Sequence, residues 1–255
     1  MRIATWNVNG LRAAIRKGFS EHIQRVNPDV LLLQEVRALR EQLPQEWQSP
    51  DGWSTLWHPA EKKGYSGTGI WSKQEQKEEQ RGAGEDDPEG RVIVSRVGPV
   101  RVVSVYLPSG SSGEHRQIEK DRWLGFFIEW TSKLARSRIP TVLGGDFNIA
   151  HTERDIFYAK GNAKNSGFLP HEREWMGELL AQGWGDVVRE KFGDVDGPYS
   201  WWSNRGQARV LDRGWRIDYL LVNKAAKKLV SDCHVDRVSG LEVSDHAMVV
   251  LDLNI

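Results

Sequence analysis

The chain has 255 residues, 35 Lys plus Arg against 35 Asp plus Glu, and one cysteine. A lone thiol excludes an internal disulfide, and no apolar run approaches the ~20 residues that cross a bilayer. Zero formal net charge excludes polyanion binding by bulk charge, so any such partner must meet a locally basic face. In chain order, strands are predicted at "RIATWN" (2–7), "DVLLLQ" (29–34), "GTGIWS" (67–72), "RVIVSRV" (91–97), "VRVVSVYL" (100–107), "TVLGGDF" (141–147), "WRIDYLLV" (215–222) and "HAMVVLDL" (246–253). Several are nearly continuous apolar runs, as in sheets covered on both faces. A helix is predicted over 114–136, where Trp123, Phe127, Trp130 and Leu134 form an apolar stripe. A second opens at Pro170 in "LPHEREWMGELLAQGW". Residues 75–89 carry seven acids with Gly and Pro and read as a solvated loop away from any polyanion. The "SGSSG" run (109–113) lacks a phosphate-loop lysine and reads as a turn. The expected fold class is α/β: one domain over 1–255, sheets inside and helices outside. The opening "MRIATWNVNG" reads as a strand rather than a secretory leader. With Cys233 as the only thiol, the expected setting is the reducing cytoplasm.

Six apolar runs end in polar residues of one chemical set: Asn7 and Asn9, Gln34 and Glu35, Tyr106, Asp146 and Asn148, Asp218, and Asp245 with His246. Any one is ordinarily a turn or cap residue. Six together point to a site at strand ends, where α/β scaffolds place function. In "VLGGDFNIA" (142–150), strand alternation would turn Asp146 and Asn148 to one face and Phe147 to the other. The glycines would let neighbouring backbone approach closely.

Carboxylates brought together raise one another's pKa and destabilise the fold. A hard divalent cation relieves this, and an oxygen ligand set suits Mg²⁺, with Mn²⁺ able to substitute. Zinc is disfavoured by the absence of Cys pairs and HExxH spacing. Magnesium keeps several waters and meets substrate phosphate, so the pattern points to phosphoester chemistry. His246 needs an orienting carboxylate from elsewhere, because Asp245 faces the other way along the strand; Asp218 is the choice. His246 would then stay protonated and face a phosphate oxygen.

The ordered motifs "WNVNGLRA", "LLLQEV", "KKGYSGTGI", "VYLPSG", "GGDFNIAH", "NSGF", "GWRIDYLLV" and "SDHAMVV" cover nearly the whole chain. Together they resemble the exonuclease III and apurinic/apyrimidinic (AP) endonuclease family of the endonuclease/exonuclease/phosphatase superfamily. The resemblance implies a four-layered α/β sandwich with two packed mixed sheets and the site at one end. It implies hydrolysis of the DNA phosphodiester 5′ to an abasic site, leaving a 3′-hydroxyl, with accompanying 3′–5′ exonuclease and 3′-end-cleaning activity. Glu35 is then the principal metal ligand, helped by Asn7 and Asp245. Asp146 positions or deprotonates the attacking water, Asn148 holds the scissile phosphate, and Tyr106 contacts it or assists the leaving group. Asp218 and His246 form the charged pair facing it. Two positions depart from the family pattern: Ser109 stands where many members carry Asn or Gln, and Asn9 where some carry Asp.

Most of the twelve tryptophans are expected in the core. Residues 201–216 differ, with three tryptophans, four arginines and one acid. Aromatics interleaved with arginine suit stacking and phosphate contact. By the resemblance, Trp201 and Trp215 wall a pocket for an extruded abasic sugar, and Arg205 and Arg209 lie on the loop that meets duplex DNA. Lys62, Lys63, Tyr65 and Asn165 add backbone contacts. Substrate choice is expected to depend on loop residues around 151–161. The expected partner is double-stranded DNA with abasic sites or blocked 3′ ends, bound by a monomer without a membrane. The nearest alternative is a specialist in 3′-exonuclease or 3′-phosphatase work with weak abasic cleavage. An enzyme acting on inositol phosphates, sphingomyelin or RNA tails fits the Trp/Arg segment poorly. A non-catalytic regulator binding nucleic acid or protein would not need Glu35, Asp146, Asn148, Asp218 and His246 all kept.

Overall fold

β-Branched and leucine-rich runs too short for helices form strands, and those buried on both faces occupy the middle of sheets. The computed structural model describes residues 1–255. Its strands are β1 (Arg2–Asn7), β2 (Val30–Gln34), β3 (Ser54–His58), β4 (Thr68–Ser72), β5 (Gln76–Arg81), β6 (Val92–Val97), β7 (Val100–Tyr106), β8 (Thr141–Asp146), β9 (Gly185–Asp186), β10 (Asp218–Val222), β11 (Val230–Asp236) and β12 (Met248–Leu253). They build two six-stranded mixed sheets, ordered β11-β12-β1-β2-β4-β3 and β5-β6-β7-β8-β10-β9. In each sheet the third and fourth strands, β1 with β2 and β7 with β8, are parallel, and the other pairs are antiparallel. The two strands that lead to an acid, β2 to Glu35 and β8 to Asp146, therefore hold the same place in matching sheets.

Three apolar clusters of similar size, 19, 18 and 17 buried residues, make this a four-layered sandwich. The middle one joins the sheets through Ile3, Leu32, Val249, Val102, Val142 and Leu220. A second packs the helices Glu114–Ala135 and Pro170–Ala181 on the second sheet through Trp123, Phe127, Trp175 and Leu179. The third packs the helix Phe19–Val26 on the first sheet through Phe19, Ile23 and Val26. Towards one end the inter-sheet core turns polar. Thr5 donates to Gln34 (3.1 Å), and Gln34 donates to Ser104 (3.0 Å). Gln34 thus joins the sheets below the cleft. Gly144 and Gly145 allow the expected close approach. A Cβ on Gly144 would lie 2.6 Å from Leu220 on the neighbouring strand and 2.7 Å from Leu32 in the other sheet, and one on Gly145 would lie 1.8 Å from the Val105 carbonyl.

Two expectations need correction. The acidic stretch 75–89 is not all loop: residues 76–81 form β5, an exposed edge strand on β6. Charge is how a natural edge strand avoids pairing with another chain, so its composition mimics a loop. β3, β9 and β11 were not anticipated either. The apolar runs of 215–222 and 246–253 begin as bridged or irregular backbone before β10 and β12.

A buried ion cluster pins the segment before β10. Arg216 donates to Asp155 (2.6 Å) and Asp186 (3.1 Å), and Arg189 also reaches Asp155. Burial alone would raise the Asp155 carboxyl, but the charges and hydrogen bonds of Arg216 and Arg189 outweigh it and hold its pKa well below the usual carboxylate range. A depressed folded pKa gives stability that is present above the unfolded value near 4 and lost as pH falls through the folded one. Asp155→Ala should cost about 3–5 kcal/mol near neutrality, as breaking one partner of a buried pair does. Its deficit should shrink in acid as the wild-type carboxylate protonates. Urea unfolding at neutral and acid pH reads both; a deficit under about 1 kcal/mol at neutrality would contradict the assignment.

Candidate active site

The site residues converge because the two central parallel pairs end at the same edge of the sandwich. Asn7 ends β1 opposite Gln34, and Glu35 follows β2. Tyr106 ends β7 opposite Asp146, which also pairs with Asp218 at the start of β10. His246 lies just before β12 and bridges to Trp201. Asn9, Glu35, Arg37 and Asn148 have φ between 46° and 53°. Left-handed backbone is uncommon for residues with a Cβ and tends to cluster at functional sites.

The geometry corrects the reading by strand alternation. β8 stops at Asp146. The Phe147 N–H donates to the Ile217 carbonyl (2.9 Å), while the Asn148 N–H donates to Asp146 Oδ1 (2.8 Å). An Asx-type turn with left-handed Asn148, not a continuing pleat, brings the two side chains together. Phe147 does pack the other way, against Phe127 and Tyr219.

Asn7 Nδ2 donates to Glu35 Oε1 and Asp146 Oδ2, both at 2.9 Å, and its carbonyl oxygen accepts from the Asn9 N–H (3.0 Å). The amide nitrogen, rather than the oxygen expected of a metal ligand, therefore faces the carboxylates. Glu35 also pairs with Arg37. Asp245 lies to one side, accepting from Asn9 Nδ2 (2.8 Å) and Trp201 Nε1 (3.2 Å). His246 Nδ1 meets Asp218 Oδ2 at 2.9 Å, as the sequence predicts, and its Nε2 lies 3.9 Å from Asp146. Ser200 donates to Asp218 (2.6 Å) and accepts from the Ile217 and Asp218 N–H groups.

Burial would lower the His246 pKa, but the charges of Asp218 and Asp146 reverse this and push it up to about 10. His246 is thus an imidazolium at neutral pH. Burial pushes Asp146 up, His246 pulls it down, and the Asp218 and Glu35 charges add to the rise, leaving it at about 7. Burial and the Glu35 charge raise the Tyr106 hydroxyl well above its usual value, so it stays a donor. Burial would raise Asp245, yet the His246 charge and the two hydrogen bonds hold it low.

These residues fit a hard divalent cation. Ligating atoms of Glu35, Asp146 and His246 lie within 4.8 Å of one another. An imidazolium cannot ligate, so the donors left in this group are carboxylate oxygens without a thiolate, a set that suits Mg²⁺ or Mn²⁺ rather than zinc. Burial first, and then the Asp218 and Glu35 charges, disfavour the ionised form of Asp146, and a cation at this place would stabilise it.

The cleft above this floor holds about 920 Å³ and is lined by Tyr106, Ser109, Asn148, Asn165, Trp201, Arg205 and Trp215 among others. Trp201 and Trp215 meet edge to face at 5.9 Å. Arg205 and Asn165 reach the cleft as expected. Arg209 does not line it and donates to Asn204 (2.7 Å). Lys62, Lys63 and Tyr65 also lie outside it, around a separate crevice, and Arg116 donates to the Tyr65 hydroxyl (2.8 Å). Ser109 is short and bonds Ser111.

Four positioning residues were missed by sequence reasoning, the first being Ser200, which holds Asp218. Arg37 pairs with Glu35. Lys120 is fully buried and donates to the Asn148 carbonyl (2.9 Å) while pairing with Glu172 (2.6 Å). Glu172 in turn accepts from the Gly167 and Leu169 N–H groups, at 2.7 and 3.0 Å. Lys120 had a readable signal: it shares the buried face of its helix with Trp123, Leu124 and Phe127, where a lysine needs a partner.

Two packed mixed sheets, with carboxylates, an amide and an imidazolium at their common end, are the scaffold of a metal-assisted phosphoester-cleaving enzyme. The chain belongs to the endonuclease/exonuclease/phosphatase family, whose sequence model matches residues 4–246. It is 37% identical over 258 residues to an exodeoxyribonuclease of Bacillus subtilis, with both chains fully covered. It is 35% identical to the DNA repair nuclease APEX1 of Danio rerio, over 99% of this chain and 82% of that one. Among solved structures, the 3′ phosphatase NExo from Neisseria, bound to product DNA hairpin, superposes with a TM-score of 0.90 at 30% identity, and both chains are fully covered. An AP endonuclease from Archaeoglobus fulgidus shares the fold over both full chains, with a TM-score of 0.91 at 24% identity. The resemblance read from the motif order and the four-layered sandwich it implies are both borne out.

Proposed function

We propose that this protein hydrolyses the phosphodiester 5′ to an abasic site in duplex DNA, leaving a 3′-hydroxyl, and that it trims and cleans 3′ ends with the same site. The observation that carries this is the meeting of Glu35, Asp146 and the Asp218–His246 pair under a cleft walled by Trp201 and Trp215. Relatives named as an exodeoxyribonuclease and a DNA repair nuclease support it.

Glu35 would hold the metal, Mg²⁺ or Mn²⁺, with Asp245 and Asn7 beside it. Bound there, the ion supplies Lewis-acid neutralisation of phosphate charge. Asp146 orients the attacking water and takes its proton; a pKa near neutrality suits a general base. Asn148 and the His246 imidazolium hold the phosphate oxygens and offset the charge that develops on them. Asp218, fixed by Ser200, keeps His246 aimed and protonated. Tyr106, protonated and beside Glu35 and Asp146, donates to the phosphate or to the departing 3′ oxygen. Water attacks phosphorus, the P–O3′ bond breaks, and the 3′ oxygen leaves as a hydroxyl. The abasic sugar would sit against Trp201 and Trp215, where no base has to be unstacked. The enzyme is inferred to act as a one-domain monomer in the cytoplasm; buried Cys233, its thiol pushed up to about 11 by burial, would stay inert there.

The test uses three labelled duplexes (abasic, 3′-phosphate at a nick, and intact blunt), each with and without a chelator. Metal-dependent incision 5′ to the abasic site is expected. Turnover of the 3′-phosphate alone would instead favour the 3′ specialist, a reading supported by the likeness to a 3′ phosphatase. Binding to abasic duplex should weaken steeply with salt, by a log–log slope of about −0.9 per phosphate contacted. Arg205→Ala should flatten that slope by about 1; a salt-independent affinity would contradict a DNA-facing cleft.

A further inference from the structure

Residues 157–161 present a feature that the proposed chemistry leaves unused. Phe157 and Tyr158 are adjacent, 43% and 56% exposed, and packed edge to face with ring centroids 4.5 Å apart. Arg213 lies over both rings, 5.5 and 5.8 Å from their centroids, and has no carboxylate partner. Its neighbour Asp212 is already committed to Trp202 (2.9 Å) and Arg237 (3.2 Å). The two rings form one wall of a cleft of about 550 Å³ shared with Lys160, Glu153 and Asp196. This second cleft adjoins the first through backbone. Ile156 bridges to Trp215, and the Phe157 N–H donates to the Gly214 carbonyl (3.0 Å). Trp215 therefore stands between the catalytic cleft and the aromatic pair.

Exposed adjacent aromatics are unfavourable in water unless something covers them. A guanidinium held over aromatic faces beside a DNA-facing cleft is the makeup of a stacking platform for bases. The charges in the same cleft balance, Glu153 and Asp196 against Lys160 and Arg154, and Arg154 is already paired with Asp196 (2.9 Å). With no surplus cation for a phosphate, the exposed rings are the feature left to bind, and they suit a neutral ring. A base inside a duplex offers no free face, so only an unpaired base can occupy this seat.

We propose that Phe157, Tyr158 and Arg213 seat an unpaired nucleobase of the DNA flanking the scissile site, making local strand opening a second specificity element beside the abasic pocket. This rests on the reading of the cleft as a DNA-cleaving site.

The experiment compares wild type with F157A/Y158A. Both replaced side chains lie on the surface, and a circular dichroism melt checks that the variant folds. In chelator, abasic duplexes carrying a single unpaired 2-aminopurine at successive positions on either side of the lesion are titrated with each protein. Wild type should quench the fluorescence at one or two positions, and the variant should not. In magnesium, the variant's KM should rise about 5–150-fold, the range expected for losing one stacked base, on abasic duplex with an unpaired base at the quenched position. The kcat on that substrate, and both constants on fully paired abasic duplex, should be unchanged. No quenching by wild type at any position, or equal losses on paired and unpaired substrates, would overturn the proposal. Quenching that persists in a protein unable to incise abasic DNA would sink the proposed reaction while leaving the seat in place.

Discussion

Asp146→Asn should leave a folded protein that has lost about 10³-fold or more of its abasic-site incision. General-base catalysis contributes ~10²–10⁴, and the same carboxylate also positions the nucleophile and caps the Asn148 turn. An amide keeps the shape and the turn hydrogen bond but cannot accept a proton from water. The fold should not suffer. A carboxyl raised to about 7 contributes stability that is present below its unfolded pKa near 4 and lost as pH rises through the folded one. In chelator at mildly alkaline pH the variant's Tm should therefore equal or exceed that of wild type. Single-turnover incision within about tenfold of wild type would remove Asp146 from the reaction.

The second large effect is metal removal. Stripping divalent ions should abolish incision, and Mg²⁺ or Mn²⁺ should restore it. The two buried carboxylates face one another with only Arg37 and His246 as compensation, and a phosphate would add more negative charge to the same space. Glu35→Gln should raise the Mg²⁺ concentration for half-maximal rate by at least the about 10–100-fold that loss of an outer-shell partner costs. It also breaks the ion pair with Arg37, so the comparison needs Arg37→Met, which should keep most of the metal affinity. Full incision in metal-free buffer would refute the role given to Glu35. An unchanged Mg²⁺ requirement in Glu35→Gln would move the ligand elsewhere.

Much of the fold and the site was legible because both depend on local pattern. Continuous apolar runs marked the strands buried on both faces, and the polar residues ending them marked the edge where a site could form. Strand alternation excluded only the adjacent Asp245 as the partner of His246; Asp218 was a choice among the carboxylates elsewhere, and the two do meet. Edge strands were harder. β5 is highly charged because its exposed edge must stay soluble, and composition cannot separate that from a loop. β11, "VSDCHVD", is half exposed and too mixed to stand out.

By itself the sequence determined the class of fold, the polar groups that end its strands, and the order of motifs that marks the family. Backbone propensity and burial act over a few residues, so they are written in short stretches. Tertiary structure decided the rest. It set the left-handed turn that swings Asn148 beside Asp146, the orientation of the Asn7 amide between two carboxylates, and the burial of Lys120 against the Asn148 carbonyl. It also placed Lys63 and Tyr65 around a crevice separate from the catalytic cleft. Each depends on the distance between residues far apart in the chain and on the dielectric around them, and those quantities exist only once the two sheets have packed.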